Sequence, residues 1–187
     1  IYPGAGYGGS CFPKDVRAII HTGEEAGVSP LVLNAVHKRN KLQKEVVFSY
    51  IQEKYGNDLN GKLFTIWGLA FKPGTDDMRE ASSINLINAL LNAGATVNAF
   101  DPVATKEAEK QFPQYNNNGS LFFFTDNYDA LKNSDAMILM TEWKMFRNPD
   151  LEKMKSLMNN PVIFDGRNQY DPGILAESGF EYKGIGR

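Results

Sequence analysis

Residues 62–101 read KLFTIWGLAFKPGTDDMREASSINLINALLNAGATVNAFD. The first ten are almost wholly apolar and end in small residues, which predicts a buried strand. ASSINLINALLNAGA then repeats apolar residues at helical spacing and stops at Gly94. TVNAF is a second short apolar run. Strand, helix and strand in this order form the unit from which parallel sheets are built.

The same rhythm continues downstream. KEAEKQF predicts a short helix and LFFFT a strand. DNYDALKN predicts a helix capped by Asp126, and DAMILMTEW a strand. NPDLEKMKSLM predicts a helix opened by Asn148–Pro149. PVIFDGRN predicts a strand, DPGILAESG a helix, and FEYKGIG closes the chain. The fold class is therefore α/β, a Rossmann-like doubly wound parallel sheet over 61–187.

Upstream of Gly61 the pattern differs. Residues 1–12 form a glycine-rich loop, and Pro13 opens a helix, PKDVRAIIHTGEEAG, ended by Gly27. Proline suits the first helical turn because its missing N–H has no partner there. Val16, Ile19 and Ile20 fall on one face. A longer helix, 30–54, starts at Ser29–Pro30, with Val32, Val36, Val46, Val47, Tyr50 and Ile51 as its apolar stripe. His37 to Lys41 interrupt that stripe with polar residues. The helix is about twice the usual length of about 12 residues. A helix of this length joins domains, pairs subunits or is a plain core element, and the pattern alone leaves these open.

Bulk composition narrows the function. The chain has 187 residues, 42% hydrophobic and 22% charged, with a formal net charge of −2. No basic arm or patch appears, which argues against nucleic-acid or membrane-surface binding. No apolar run is long enough for a bilayer. One cysteine excludes an internal disulfide and a cysteine-based zinc site. His21 and His37 are too few and too far apart to suggest a metal site. There is no secretory signal, and a start at Ile1 without Met reads as a cut through a longer protein.

A doubly wound sheet invites dinucleotide binding, tested at the first strand-to-helix turn. That turn, GLAFKPGTDDMRE, has Gly68 and Gly74 with Phe71 and Lys72 between them, so the three-glycine fingerprint is absent. Asp101 ends the second strand, where a ribose-binding acid would stand, but precedes Pro102 and reads better as a turn residue. Lys72, Asp76, Asp77, Arg79 and Glu80 crowd the carboxyl end of the first strand. Surface ion pairs would account for them. Arg167 follows VIFD on the same sheet edge, and two cations at one crevice suggest a phosphate-bearing ligand.

The lone thiol stands in GAGYGGSCFPKD, residues 4–15. Cys11 precedes a helix N-terminus, whose partial positive charge favours thiolate. Lys14 adds to that field, and Asp15 lies one turn on, placed to steer a water or a proton. A small buried cysteine beside a capping Asp is the bland alternative. The glycines, Pro13 and adjacent charges favour chemistry.

Taken together, these blocks resemble one family. YPGAGYGGSCFPKDV is similar to the catalytic-cysteine segment of UDP-glucose/GDP-mannose dehydrogenases, and GLAFKPGTDDMREASS to the start of their UDP-binding domain. TEW and FDGRN are similar to later blocks of it, so the resemblance spans essentially the whole chain. Phe12 and Tyr7 lean toward UDP-glucose rather than GDP-mannose as substrate. The resemblance implies two NAD⁺-dependent oxidations at carbon 6 of the sugar, through a cysteine thiohemiacetal and thioester, yielding UDP-glucuronate. It implies that Cys11 is the nucleophile and that Asp15 assists proton transfer or hydrolysis. Tyr2, Pro3, Gly4 and Gly8 would wrap the sugar nucleotide, and Phe71, Lys72 and Arg167 would contact it. Lys14 and Arg79 would reach toward NAD.

The resemblance also implies organisation. Residues 1–60 would carry the catalytic-cysteine loop and a central helical segment, and 61–187 the UDP-binding domain. The NAD-binding domain and a preceding Lys and Asn would lie before Ile1, leaving this chain inactive alone. Helix 30–54 would pair subunits, giving a cytoplasmic homodimer. Alternatives are a GDP-mannose or UDP-N-acetylhexosamine dehydrogenase, or a non-catalytic UDP-binding or dimerisation module.

Overall fold

The computed structural model describes residues 3–115 and 119–187. Two helices lead the chain, α1 (Phe12–Glu25) and α2 (Leu31–Tyr55). Then come β1 (Leu63–Trp67), α3 (Ser82–Asn92), β2 (Thr96–Phe100), α4 (Thr105–Gln111) and β3 (Leu121–Phe123). The second half adds α5 (Asn127–Ala130), β4 (Ala136–Leu139), α6 (Leu151–Leu157), β5 (Val162–Asp165), α7 (Pro172–Glu177) and β6 (Glu181–Gly184).

The sheet order is β3-β2-β1-β4-β5-β6, every pairing parallel. β1 pairs Leu63 with Thr96 on one side and Phe64 with Ala136 on the other. Chain order reverses between β1 and β4, so their following loops part at the carboxyl edge and open a crevice there. Strand residues alternate between two cores. Phe64, Ile66, Val97 and Ile138 meet Leu86, Ile87 and Leu90 of α3 and Val47 and Ile51 of α2. Trp67, Met137, Leu139 and Ile163 meet Ala130 of α5, Met154 of α6 and Leu175 of α7. Each face supplies a helix layer, as parallel strands buried on both sides require.

Several boundaries differ from the sequence reading. FEYKGIG contributes a sixth strand, β6, an edge strand whose alternation is too short to stand out. Helix α6 is capped not by Asn148 but by Asp150, whose side chain accepts from Lys153 N. Helix α2 begins at Leu31 with Pro30 as its cap residue, so Ser29 is not the N-cap. Val32 is 76% exposed and Leu31 74%, and Val36 and Ile19 are exposed too. The buried stripe of α2 is instead Asn40, Lys44, Val47 and Ile51. Val46, Val47, Tyr50 and Ile51 pack on the core as expected; Val32 and Val36 do not, because toward its N-terminus the helix buries Asn40 and Lys44, which bind Tyr7 of the glycine-rich loop and Glu80. Among the described residues, no helix is long and apolar enough to cross a membrane. Nor, among them, does any group of three or more His, Cys, Asp or Glu residues stand where it could hold a metal ion.

Candidate functional site

The polar middle of α2 organises residues 3–9. Asn40 accepts from Tyr7 N at 2.8 Å and donates to Tyr7 O at 3.1 Å, imitating a strand partner. Gln43 donates to Gly4 O at 2.7 Å. Lys44 Nζ reaches the carbonyl of Glu80 at 2.8 Å and its carboxylate at 2.9 Å. Ala5 N donates to Gly166 O, and Gly9 N to Arg79 O, so the loop is also tied to the sheet edge at two points. A loop without regular structure thus has several of its backbone groups met, at Gly4, Ala5, Tyr7 and Gly9.

This arrangement encloses a cleft of about 960 Å³ over the crevice between β1 and β4. Pro3, Gly4 and Gly8 line it from the loop, Phe71 and Lys72 from the turn after β1, and Arg167 from the turn after β5. Tyr7, Val36, Arg39, Asn40 and Gln43 form the opposite wall, and Glu142 closes it from the turn after β4. Six of the residues singled out in the sequence therefore meet at one cleft. Tyr2 lies outside the described residues.

Arg167 fastens the cleft's sheet side. Its Nε donates to Met140 O at 2.9 Å and its Nη2 to Phe71 O at 2.8 Å. Glu142 Oε2 lies 3.0 Å from the same Nε as an ion pair. Because that N–H points at Met140 O, Glu142 Oε2 is buried without a hydrogen-bond partner among the described residues, and so is the Tyr7 hydroxyl. Glu142 Oε2 keeps its ion pair with Arg167, whereas the Tyr7 hydroxyl on the opposite wall has no hydrogen-bond partner among the described residues.

The glycines serve packing as much as any ligand. A Cβ on Gly8 would stand 2.3 Å from Glu80 O, so that direction is filled by the protein itself. A Cβ on Gly4 would stand 3.1 Å from Arg167 Nη1.

Cys11, Lys14, Asp15 and Arg79 lie outside the cleft lining. Cys11 is exposed, which removes the buried-cysteine alternative, and it is the N-cap residue of α1. Tyr7, a lining residue, packs edge-on against Phe12 with ring centroids 4.6 Å apart, so the thiol's neighbour touches the cleft wall. Asp15 N donates to Cys11 O, placing Asp15 in the first turn of α1. Lys14 and Asp15 form an exposed ion pair at 3.5 Å. Arg79 grips Asp77 through Nε and Nη2 at 2.9 and 2.8 Å. That bond holds the Asp77 carboxyl below its ordinary range and raises the guanidinium, to which the nearby Cys11 sulfur adds a smaller share. Glu80 is lowered first by its hydrogen bond to Lys44, against burial, and further by Arg17.

Asp101 does more than a turn residue. It is buried and accepts from Leu69 N, Ala70 N, Val103 N, Ala104 N and Trp143 Nε1. With both oxygens engaged, no acceptor capacity remains for a ribose. Gly68 is pressed against Thr141, where a Cβ would stand 2.5 Å away, and Phe71 closes on Gly9. The turn after β1 therefore does not fit a dinucleotide pyrophosphate.

Asn40, Gln43, Lys44 and Glu142 escaped the sequence reading. Of these, only Asn40 falls in the polar interruption His37 to Lys41, and nothing in the sequence marks its partner.

Comparison with known proteins gives the same outline. Residues 65–172 match the UDP binding domain of the UDP-glucose/GDP-mannose dehydrogenase family, and residues 1–42 its central domain. A UDP-glucose 6-dehydrogenase of Pseudomonas aeruginosa is 48% identical over 187 residues, all of this chain and 41% of that protein. TuaD of Bacillus subtilis, also a UDP-glucose 6-dehydrogenase, is 35% identical over 98% of this chain and 39% of its own length. The chain thus spans less than half of these curated relatives. Among solved structures, a UDP-glucose dehydrogenase from Pyrobaculum islandicum superposes with a TM-score of 0.80 at 31% identity, over 97% of this chain and 38% of that one. An NDP-N-acetyl-D-galactosaminuronic acid dehydrogenase from Methanosarcina mazei superposes with 0.81 at 26%, over 100% and 40%.

Proposed function

Since the chain belongs to the UDP-glucose/GDP-mannose dehydrogenase family, we propose that it carries the nucleotide-sugar site and the nucleophile of a UDP-glucose 6-dehydrogenase. The observation that carries this reading is the cleft itself. It gathers Lys72 and Arg167 at the sheet's switch point, with Glu142 ion-paired to Arg167 and the Tyr7 hydroxyl without a hydrogen-bond partner among the described residues. A diphosphate suits the cations. The residue roles in this proposal are those the resemblance implies. Pro3, Gly4 and Gly8 line the sugar nucleotide, Phe71, Lys72 and Arg167 contact it, and Lys14 and Arg79 face the cofactor side.

NAD⁺ as oxidant belongs to the proposal, and it supplies the hydride acceptor. The turn after β1 does not fit it, and no step below runs through it. What this chain contributes is covalent and acid–base chemistry. The Cys11 sulfur adds to a carbon-6 aldehyde, forming an S–C bond while a proton passes to the oxygen. At the acyl stage water attacks the thioester carbon, the S–C bond breaks, and the thiol recovers a proton. Asp15 stands one turn from the sulfur to move that proton or orient that water.

The proposed division is a cysteine loop with helical segment over 1–60 and a UDP-binding domain over 61–187. The family matches fall on either side of Gly61, which supports it. A homodimer through α2 is proposed with it, supported by the exposed Leu31 and Val32. The test is UDP-glucose oxidation by the full-length protein that carries this chain, read as NADH. Two NADH per UDP-glucose and loss of turnover in Cys11→Ser support the reading. Preference for GDP-mannose or a UDP-N-acetylhexosamine would redirect it within the family. UDP binding without turnover, unaltered by Cys11→Ser, would overturn it in favour of a binding module.

A further inference from the structure

Glu80 closes the turn after β1 in a left-handed backbone conformation, φ 56°. A non-glycine residue adopts this region at a cost, and the surrounding structure must hold it there. What holds it is the cysteine-bearing segment. Lys44 of α2, with its side chain only 7% exposed, binds both the carbonyl and Oε2 of Glu80. Arg17 of α1 binds Oε1 at 2.9 Å. The preceding carbonyl, of Arg79, takes Gly9 N, two residues before Cys11. Gly8 lies directly against the Glu80 carbonyl, with no room for a Cβ. The loop on one side of the thiol is thus bonded to Arg79 and packed on Glu80, and the helix on the other is paired with Glu80, so both are fastened to two adjacent residues of the sheet domain.

We propose that Glu80 is a positioning residue for Cys11, fixing the thiol-bearing loop and α1 relative to the cleft through Lys44 and Arg17. The role rests on the nucleophile assigned above but is separable from it. Glycine would adopt φ 56° more cheaply, yet it could not join α1 and α2 through a carboxylate. The carboxylate is what the backbone cost is spent on. Misplacing a reacting group by about 1 Å costs on the order of a hundredfold in rate.

The chain's single cysteine makes the test direct. A nitroxide on Cys11 reports local order by electron paramagnetic resonance. One component is expected in the parent chain, and a second, more mobile component in Glu80→Gln and Arg17→Met. Asp129→Asn, which breaks the exposed Asp129–Lys132 pair, controls for general loosening and should leave the spectrum unchanged. In the full-length enzyme, Glu80→Gln should lower kcat about tenfold or more while KM for UDP-glucose stays put. Unchanged spectra in both tether variants overturn the proposal, whatever the enzyme does. A mobile component with unchanged kcat also overturns it, reducing Glu80 to a structural tie. If the parent enzyme does not oxidise UDP-glucose, the functional reading falls and the spectra still decide the tether. If Glu80→Gln fails to fold, Arg17→Met, at a half-exposed site, decides alone.

Discussion

Lys44 Nζ sits 2.8 Å from the carbonyl oxygen of Glu80 and 2.9 Å from its carboxylate, joining the middle of α2 to the turn after β1. Lys44→Met keeps the buried stem but removes both bonds. Hydrogen bonds to charged groups contribute about 1.5–3 kcal/mol. Because the Glu80 side chain is 41% exposed and can be rehydrated, the loss should fall at the lower end of that range. Urea unfolding of parent and variant measures it. No change in midpoint would show the pair to be energetically idle.

Acid should loosen the same junction. The hydrogen bond from Lys44, then that from Arg17, hold the Glu80 carboxyl below its ordinary 4.5. A depressed folded-state value means the stabilisation is present above the unfolded value and is lost as pH falls through the folded one. Stability should therefore decline below about pH 4.5, and Glu80→Gln should show a shallower decline. Equal slopes in pH-dependent unfolding would refute this.

Alkali acts on different residues. Burial raises Tyr55 and Tyr170 above the ordinary 10.0 and pushes Tyr182 up to about 12, with nearby carboxylates adding to each. A phenol whose folded value is raised stabilises the fold below its unfolded value, and that contribution drains as pH rises toward the folded value. Of eight tyrosines, these three should ionise late in an ultraviolet titration, and stability should fall from about pH 10 upward. Uniform titration of all eight near 10 would contradict the packing around them.

Gly8→Ala places a methyl where the Glu80 carbonyl already stands. The Glu80 backbone and the Phe71 Cβ leave little to yield, so the variant should lose about 1–3 kcal/mol and most turnover. Gly4→Ala meets instead Arg167 Nη1 at 3.1 Å, so the tethered guanidinium needs to give only a few tenths of an ångström. It should fold normally and bind UDP more weakly, as calorimetry on both variants would show.

Arg167→Lys tests the cleft floor. Lysine cannot reproduce a fork spanning Met140 O and Phe71 O. UDP affinity should drop about tenfold or more, whereas Cys11→Ser should leave UDP affinity untouched. Equal losses in both variants would mean the nucleotide does not rest on Arg167.

Much of the fold was legible because each strand is a compact apolar run bounded by turn residues, from Leu63–Trp67 to Val162–Asp165. Strand β6 was not, since Glu181 and Lys183 at the edge dilute its pattern. Around the site, Lys72 and Arg167 could be picked out by their place after strands, and Phe71 by the family resemblance. Asn40, Gln43 and Lys44 could not, because their partners are backbone atoms 33 to 39 residues away. Side-chain-to-backbone bonding of this range leaves no period in a sequence. Val32 and Val36 misled for the converse reason: the helical period marks a stripe without saying what covers it.

The five donors converging on Asp101 bear on redesign. Grafting a three-glycine fingerprint into GLAFKPG would still leave no acid to read an adenosine ribose. Freeing that acid would unlatch the turn after β1, the start of α4 and the Trp143 indole together. The misfit to a dinucleotide is thus wired into the scaffolding of this sheet, and fitting one would require rebuilding three connections rather than one loop.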